Sequence, residues 1–269
     1  MGRNKEEAHV RENKIKRTLK TGGVVVGTMI SEVRTPAIAQ MMATAGYQFI
    51  FIDMEHSAFN METVQDMILA CRAAGIQSVV RTPGMERCSL SRPLDAGADG
   101  ILVPQVETRE EVEAIVRETR YYPLGERGCA LRRLHSDYRK VNTVEYTAHA
   151  NEEALVVIQI ESEKAIEHLD ELVSVPGIDA AFIGPNDMSQ SYGIPGQIKH
   201  PKMVAAYKKL IEVCNAYGVA PGVHLFSLDD VKEWVGAGMR LIAYSNDVNM
   251  LVDTASKQVA DIKAILGWA

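Results

Sequence analysis

One unit repeats along this chain and leaves it few folds to adopt. An amphipathic stretch ends in a small-residue and glycine turn, and a short apolar run rich in Val and Ile follows. The runs that read as strands are Val24–Met29, Phe49–Asp53, Ser78–Arg81, Gly100–Pro104, Val156–Glu161, Ala180–Gly184, Pro221–His224 and Leu241–Tyr244. Gly46, Gly75, Gly97, Gly177, Gly218 and Gly238 precede six of them, where a helix end calls for a left-handed residue. The stretches Met61–Ala74, Arg109–Arg120, Lys202–Tyr217 and Met250–Leu266 carry helical periodicity. Near-continuous apolar strands alternating with helices predict a parallel sheet buried on both faces.

Eight such units in 269 residues predict a single α/β domain, a (β/α)8 TIM barrel spanning 1–269. A doubly wound sheet is the competing arrangement. It is disfavoured because no strand leads into G-x-G-x-x-G or a P-loop, and no composition shift divides the chain. Residues 1–20 read as an extra N-terminal helix, too charged for a signal peptide. The connection from Tyr121 to Glu153 is too long for a plain strand-to-helix loop and predicts a lid or an interface element.

Composition narrows the partners. The chain is 46% apolar and 24% charged with net charge −6, which speaks against a nucleic-acid footprint. No apolar run has the length of a membrane span. Cys71, Cys88, Cys129 and Cys214 lie far apart without a C-x-x-C pair, as reduced thiols of a cytoplasmic protein would.

In a barrel of this kind chemistry belongs at the C-terminal ends of the strands. The polar residues ending the runs are Asp53, Glu55 and His56, then Arg81, then Gln159 and Glu161, then Asn186 and Asp187. Glu161 and Asp187 end adjacent strands and suit a hard divalent cation, with water and substrate oxygens completing the shell. Each also reads as a helix cap: Glu161 opens ESEKA, and Asp187 precedes the polar loop MSQSYG. Gln159, two residues before Glu161, shares its inward face. Arg81 offers an always-charged fork for a carboxylate or enolate oxygen, or a salt bridge to Glu55. His56, three residues after Asp53, is a candidate oriented general base. His224 ends a strand without an acid beside it and reads as a packed or capping residue. His9, His135, His149, His168 and His200 read as surface residues. No lysine falls within the eight runs, which disfavours both a Schiff-base lysine and PLP.

DMEH at 53–56, VVRTP at 79–83, LDAGADGILVPQVET at 94–108, YPLGERG at 122–128, VVIQIES at 156–162 and FIGPNDMSQSYGIPG at 182–196 occur in one order. Together they resemble the HpcH/HpaI family of metal-dependent, class II pyruvate aldolases, over nearly the whole chain from Val24. The resemblance implies a barrel of the phosphoenolpyruvate/pyruvate superfamily type. It also implies a cytoplasmic lyase cleaving a 4-hydroxy-2-oxo acid reversibly to pyruvate and an aldehyde through a metal-stabilised enolate. Glu161 and Asp187 would bind Mg2+, Mn2+ or Co2+, with no nucleotide cofactor. Arg81 would stabilise the enolate; His56, oriented by Asp53, would help move the C4 hydroxyl proton. Gln159 and the backbone amides of Asn186 and Asp187 would hold the carboxylate of the 2-oxo acid substrate. Family members are usually homohexamers with shared sites, and Asp95, in the turn before the fourth strand, would reach the His of an adjoining subunit. Taken alone, Asp95 reads as a turn residue.

The chain departs from the family pattern in three places. Thr28-Met29-Ile30 stands where Trp is common, CALRRLH follows Gly128, and YSND ends the eighth strand in place of a Gly-Ser or Gly-Val pair before the Asp. These bear on the aldehyde partner, as do Arg132 and Arg133, which read either as contacts to a distal carboxylate or as solvated or interface residues. Two other functions stay open at this point: decarboxylation or acyl-CoA lyase chemistry at the same enolate site, and non-catalytic keto-acid binding.

Overall fold

The computed structural model describes residues 10–268. Eight parallel strands close into a barrel in chain order: β1 (Val25–Ile30), β2 (Phe49–Asp53), β3 (Gln77–Arg81), β4 (Gly100–Val103), β5 (Leu155–Ile160), β6 (Ala180–Ile183), β7 (Ala220–Leu225) and β8 (Leu241–Asn246). Each expected run is a strand, displaced by at most two residues at an end. The six turn glycines all have positive φ, between 71 and 118°.

Alternation along the strands sorts two apolar layers. In β2, Phe49 and Phe51 point into the barrel, while Ile50 and Ile52 pack outward against helices. The interior rings meet edge to face, Phe49 on Phe51 at 5.0 Å and Phe51 on Phe182 at 5.3 Å. Gly27 makes room for them, since a Cβ there would lie 2.5 Å from the Phe49 ring. The N-terminal mouth is closed by α1 (Lys14–Lys20), whose Ile15 and Leu19 join the interior cluster. The part of the expected N-terminal helix that falls on residues 1–9 lies outside the described residues.

The helices departing from expectation do so for local reasons. The connection after α5 (Arg109–Thr119) is not all loop: Asn142 accepts hydrogen bonds from Val144 and Glu145 N–H and starts α6 (Thr143–Glu153). Within it His135 is buried, contrary to its surface reading, bonded to the Tyr146 hydroxyl and the Ala130 carbonyl. Asp95 is not a turn residue but the last residue of α4 (Arg87–Asp95). The segment after β6 is helix α9 (Pro185–Ser191), begun by Pro at its first position, so Asp187 sits in a helical first turn and not before a loop. Further helices relevant below are α2 (Ala37–Ala45) and α12 (Asp247–Leu266). Among the described residues no helix is long and apolar enough to cross a membrane.

Candidate active site

The C-terminal strand ends surround a cavity of about 520 Å³, lined among others by Asp53, His56, Arg81, Gln159, Asn186 and Asp187. Asp53 and Arg81 are paired in the β2–β3 register. The Arg81 fork donates from Nε to Asp53 Oδ1 at 2.8 Å and from Nη2 to Oδ2 at 2.7 Å. Its third nitrogen, Nη1, lies 3.1 Å from Glu55 Oε2. Both Asp53 and Arg81 are buried. Burial works against the Asp53 charge, but Arg81 and the backbone N–H groups of Glu55 and His56 outweigh it and hold the carboxyl below its ordinary range.

Asp53 therefore serves Arg81 and not the imidazole. It accepts from the His56 backbone N–H at 3.4 Å, which orients the loop. The His56 side chain is 59% exposed, and its Nε2 lies 3.8 Å from Glu55 Oε2. Asp53 is thus not seen to orient the ring; the nearby carboxylate is that of Glu55. Burial raises the Glu55 carboxyl against the lowering effect of Arg81.

Glu161 is buried and receives two hydrogen bonds, from the Gln105 backbone N–H at 2.7 Å and from Gln159 Nε2 at 2.5 Å. Burial, then the charges of Glu55 and Asp187, push its carboxyl up to about 7. Gln105, absent from the sequence reading, holds a left-handed φ of 57° and also bonds Glu55 through its side chain at 3.2 Å. Only a non-glycine residue in that conformation would have betrayed it, and sequence does not display φ. Gly184 presses against the same group: a Cβ there would lie 2.7 Å from both Gln159 Nε2 and Glu161 Oε2.

These residues fit a hard cation. The Asp187 charge adds to the proton affinity of Glu161, and the buried Oε1 of Gln159 has no hydrogen-bond partner among the described residues. That oxygen calls for a donor, such as an ordered water. No group of three or more His, Cys, Asp or Glu is placed to hold a metal among the described residues, so this centre would lean on oxygens from substrate and water. Asn186 and Asp187 line the cavity from the first turn of α9, where backbone N–H groups have no acceptor within the helix.

The remaining residues singled out from sequence lie elsewhere or do other work. Asp95 is on the opposite, N-terminal face of its own barrel, paired with Arg127 Nη2 at 2.6 Å. Arg133 lines a surface hollow beside Asp95, away from the cavity of its own chain. His224, read as a packed or capping residue, lines the cavity.

Residues 28–254 match the family described as HpcH/HpaI aldolase/citrate lyase. The chain belongs to this family. It is similar to the hydroxypyruvate/pyruvate aldolase of Roseobacter denitrificans, 32% identical over 93% of this chain and 97% of that one. It is also similar to the 2-keto-3-deoxy-L-rhamnonate aldolase of Escherichia coli, 31% identical over 94% of each. The crystal structure of an HpcH/HpaI aldolase from Desulfitobacterium hafniense superposes with a TM-score of 0.89 at 34% identity, covering 92% of this chain and 96% of that one. As a member of the HpcH/HpaI family the protein is an enzyme, a carbon–carbon lyase of the aldolase type.

Proposed function

We propose that this enzyme cleaves a 4-hydroxy-2-oxo acid reversibly to pyruvate and an aldehyde, with a divalent cation held by Glu161 and Asp187. The observation that carries the reading is the Asp53–Arg81 pair, which shares one cavity with Gln159 and Asp187. In the cleavage direction the C4 hydroxyl loses its proton and the C3–C4 bond breaks. The electron pair passes to C3 as an enolate, C4 becomes the aldehyde carbonyl, and a proton returned to C3 completes pyruvate.

A bound Mg2+, Mn2+ or Co2+ supplies Lewis-acid withdrawal of charge from the 2-oxo acid. Arg81, fixed by Asp53 before substrate arrives, offers a preorganised positive charge to the developing enolate oxygen. The N–H groups of Asn186 and Asp187, with the remaining N–H of Gln159, hold the C1 carboxylate. His56, at the exposed rim, takes the C4 hydroxyl proton through a water, with Glu55 beside it to steady the imidazolium.

The enzyme works as a homo-oligomer, a hexamer by the resemblance, with sites completed between copies. The exposed helix α12 supports this: from Leu251 to Trp268 every residue is exposed, including Leu251, Val252, Val259, Ile262, Ile265 and Leu266. An apolar surface of that length is covered in solution by a second copy. Asp95, useless to its own cavity, then becomes available to a neighbour's His56.

The test mixes pyruvate with a panel of aldehydes, before and after EDTA, and follows exchange of the pyruvate methyl protons in D2O. Aldol product and exchange, both abolished by EDTA and restored by Mn2+, are expected. Full activity in the chelated enzyme would overturn the assignment.

A further inference from the structure

The oxo-acid and metal residues come from β2, β3, β5 and β6, and β7, β8 and β1 close the other side of the same cavity. There two side chains converge on one strained carbonyl. Ser245, near the end of β8, has a left-handed φ of 56°, costly for a residue with a Cβ. Its carbonyl accepts from His224 Nε2 at 2.8 Å and from Thr28 Oγ1 at 3.3 Å. The β1–β8 register breaks between Gly27 and Met29, beside this point. Strain maintained by two converging donors marks a backbone group put to a particular use.

Its use is to orient His224. A carbonyl only accepts, so Nε2 carries the ring proton and Nδ1 of the neutral ring is an acceptor. Burial, with the nearby charge of Arg81 adding to it, brings the imidazole down to about 4 and keeps it neutral at physiological pH. The ring is backed by Phe226, centroids 4.5 Å apart, which with Ser245 fixes its plane. Nδ1 has no partner among the described residues, and the side chain lines the cavity.

The charges on this side decide what that acceptor meets. Glu32, an exposed acid, also lines the cavity. The one lysine or arginine lining the cavity, among the described residues, is Arg81, already held by Asp53 and Glu55. A distal carboxylate on the aldehyde would face Glu32 and a lone pair on His224. A hydroxyl would find an acceptor.

We propose that His224 determines specificity on the aldehyde side, its Nδ1 accepting a hydrogen bond from a hydroxyl next to the aldehyde carbonyl, so that hydroxylated aldehydes are the class this enzyme releases. The inference rests on the aldolase reading above. The test compares condensation of pyruvate with glycolaldehyde and with acetaldehyde by the Mn2+-loaded enzyme, taking the ratio of the two kcat/KM values within each variant. His224→Leu removes both ring contacts, His224→Gln keeps a donor toward Ser245 but loses the Nδ1 acceptor, and His224→Asn keeps an acceptor near the Nδ1 position. The ratio should favour glycolaldehyde in the wild type and fall about five- to tenfold in the Leu and Gln variants, the worth of one neutral hydrogen bond. The Asn variant should stay within about twofold of wild type.

An unchanged ratio in the Leu and Gln variants overturns the role of His224, as does a wild-type preference for succinic semialdehyde, which carries the distal carboxylate. Wild-type enzyme that neither condenses pyruvate with any aldehyde nor exchanges its methyl protons overturns the aldolase reading itself, and this inference with it.

Discussion

Asp53 and Arg81 face each other at the ends of adjacent parallel strands, joined by two hydrogen bonds of 2.8 and 2.7 Å. The geometry occupies one edge of the guanidinium, Nε and Nη2, and leaves the third nitrogen, Nη1, beside Glu55. A charge held this way needs no reorganisation when an enolate forms.

Lysine cannot reproduce the fork. Arg81→Lys keeps the charge on a flexible point, so pyruvate proton exchange should fall by about a hundredfold or more. Asp53→Ala instead leaves the buried Arg81 with Glu55 as its one remaining carboxylate and should cost about 3 kcal/mol of stability. Exchange rates by NMR and thermal melts separate the two effects. An Arg81→Lys enzyme exchanging at wild-type rates would show that the fork is not used.

The Glu161 carboxyl, at about 7 in the metal-free chain, sets a pH dependence of definite sign. Its folded value lies above the ordinary carboxylate value of 4.5, so the folded chain binds more protons than the unfolded one between them. The stability contributed by the protonated carboxyl is full below 4.5 and is lost as pH rises through 7, by up to about 3 kcal/mol. EDTA-treated Glu161→Gln should therefore melt higher than EDTA-treated wild type at pH 8, with the gap closing by pH 5. Cation binding has the opposite slope, because the metal must displace that proton: Mn2+ affinity should fall about tenfold per pH unit below 7. Calorimetric titration at pH 6, 7 and 8 measures it. A flat affinity would exclude Glu161 as a ligand.

These groups were legible in the sequence because strand ends are legible. FIFID, QSVVR and LVVIQIE stop at Asp53, Arg81 and Glu161, and once a closed parallel barrel is inferred, such ends share a rim. What joins them was not legible. That Asp53 would serve Arg81 rather than His56 depends on a register known only from the sheet. Gln105 and Ser245 act through left-handed backbone that neither residue type advertises. His135 was misread because the burial around it comes from Tyr146 on α6, eleven residues on, inside a segment read as loop.

The exposed His56 permits a sharper division of labour. A residue that moves the C4 hydroxyl proton is needed for C–C cleavage, whereas exchange at C3 of pyruvate involves no C4 at all. His56→Ala should lower cleavage by about 10²- to 10⁴-fold and exchange far less. Because the side chain is 59% exposed, melting should shift little. Equal losses in both assays would place the residue in enolate chemistry instead.

The final prediction concerns sharing between copies. Asp95 ends α4 on the face opposite its own cavity, and Arg127, buried against the Tyr121 ring at 4.6 Å, steadies its carboxylate. The proposed oligomer would bring this acid to another subunit's cavity. Arg81→Ala and Asp95→Ala enzymes should each be inactive or nearly so alone, one lacking the enolate charge and the other the acid at its neighbour's His56. Dissociated and reassembled together, they should recover part of the wild-type activity, because some sites then receive Arg81 from one copy and Asp95 from another. The exposed apolar side chains of α12 supply a control on assembly: Ile262→Glu with Ile265→Glu should shift the oligomer toward monomer in sedimentation and remove activity with it. Mixed oligomers that form and recover nothing, or an Asp95→Ala enzyme of full activity, would confine Asp95 to its ion pair with Arg127.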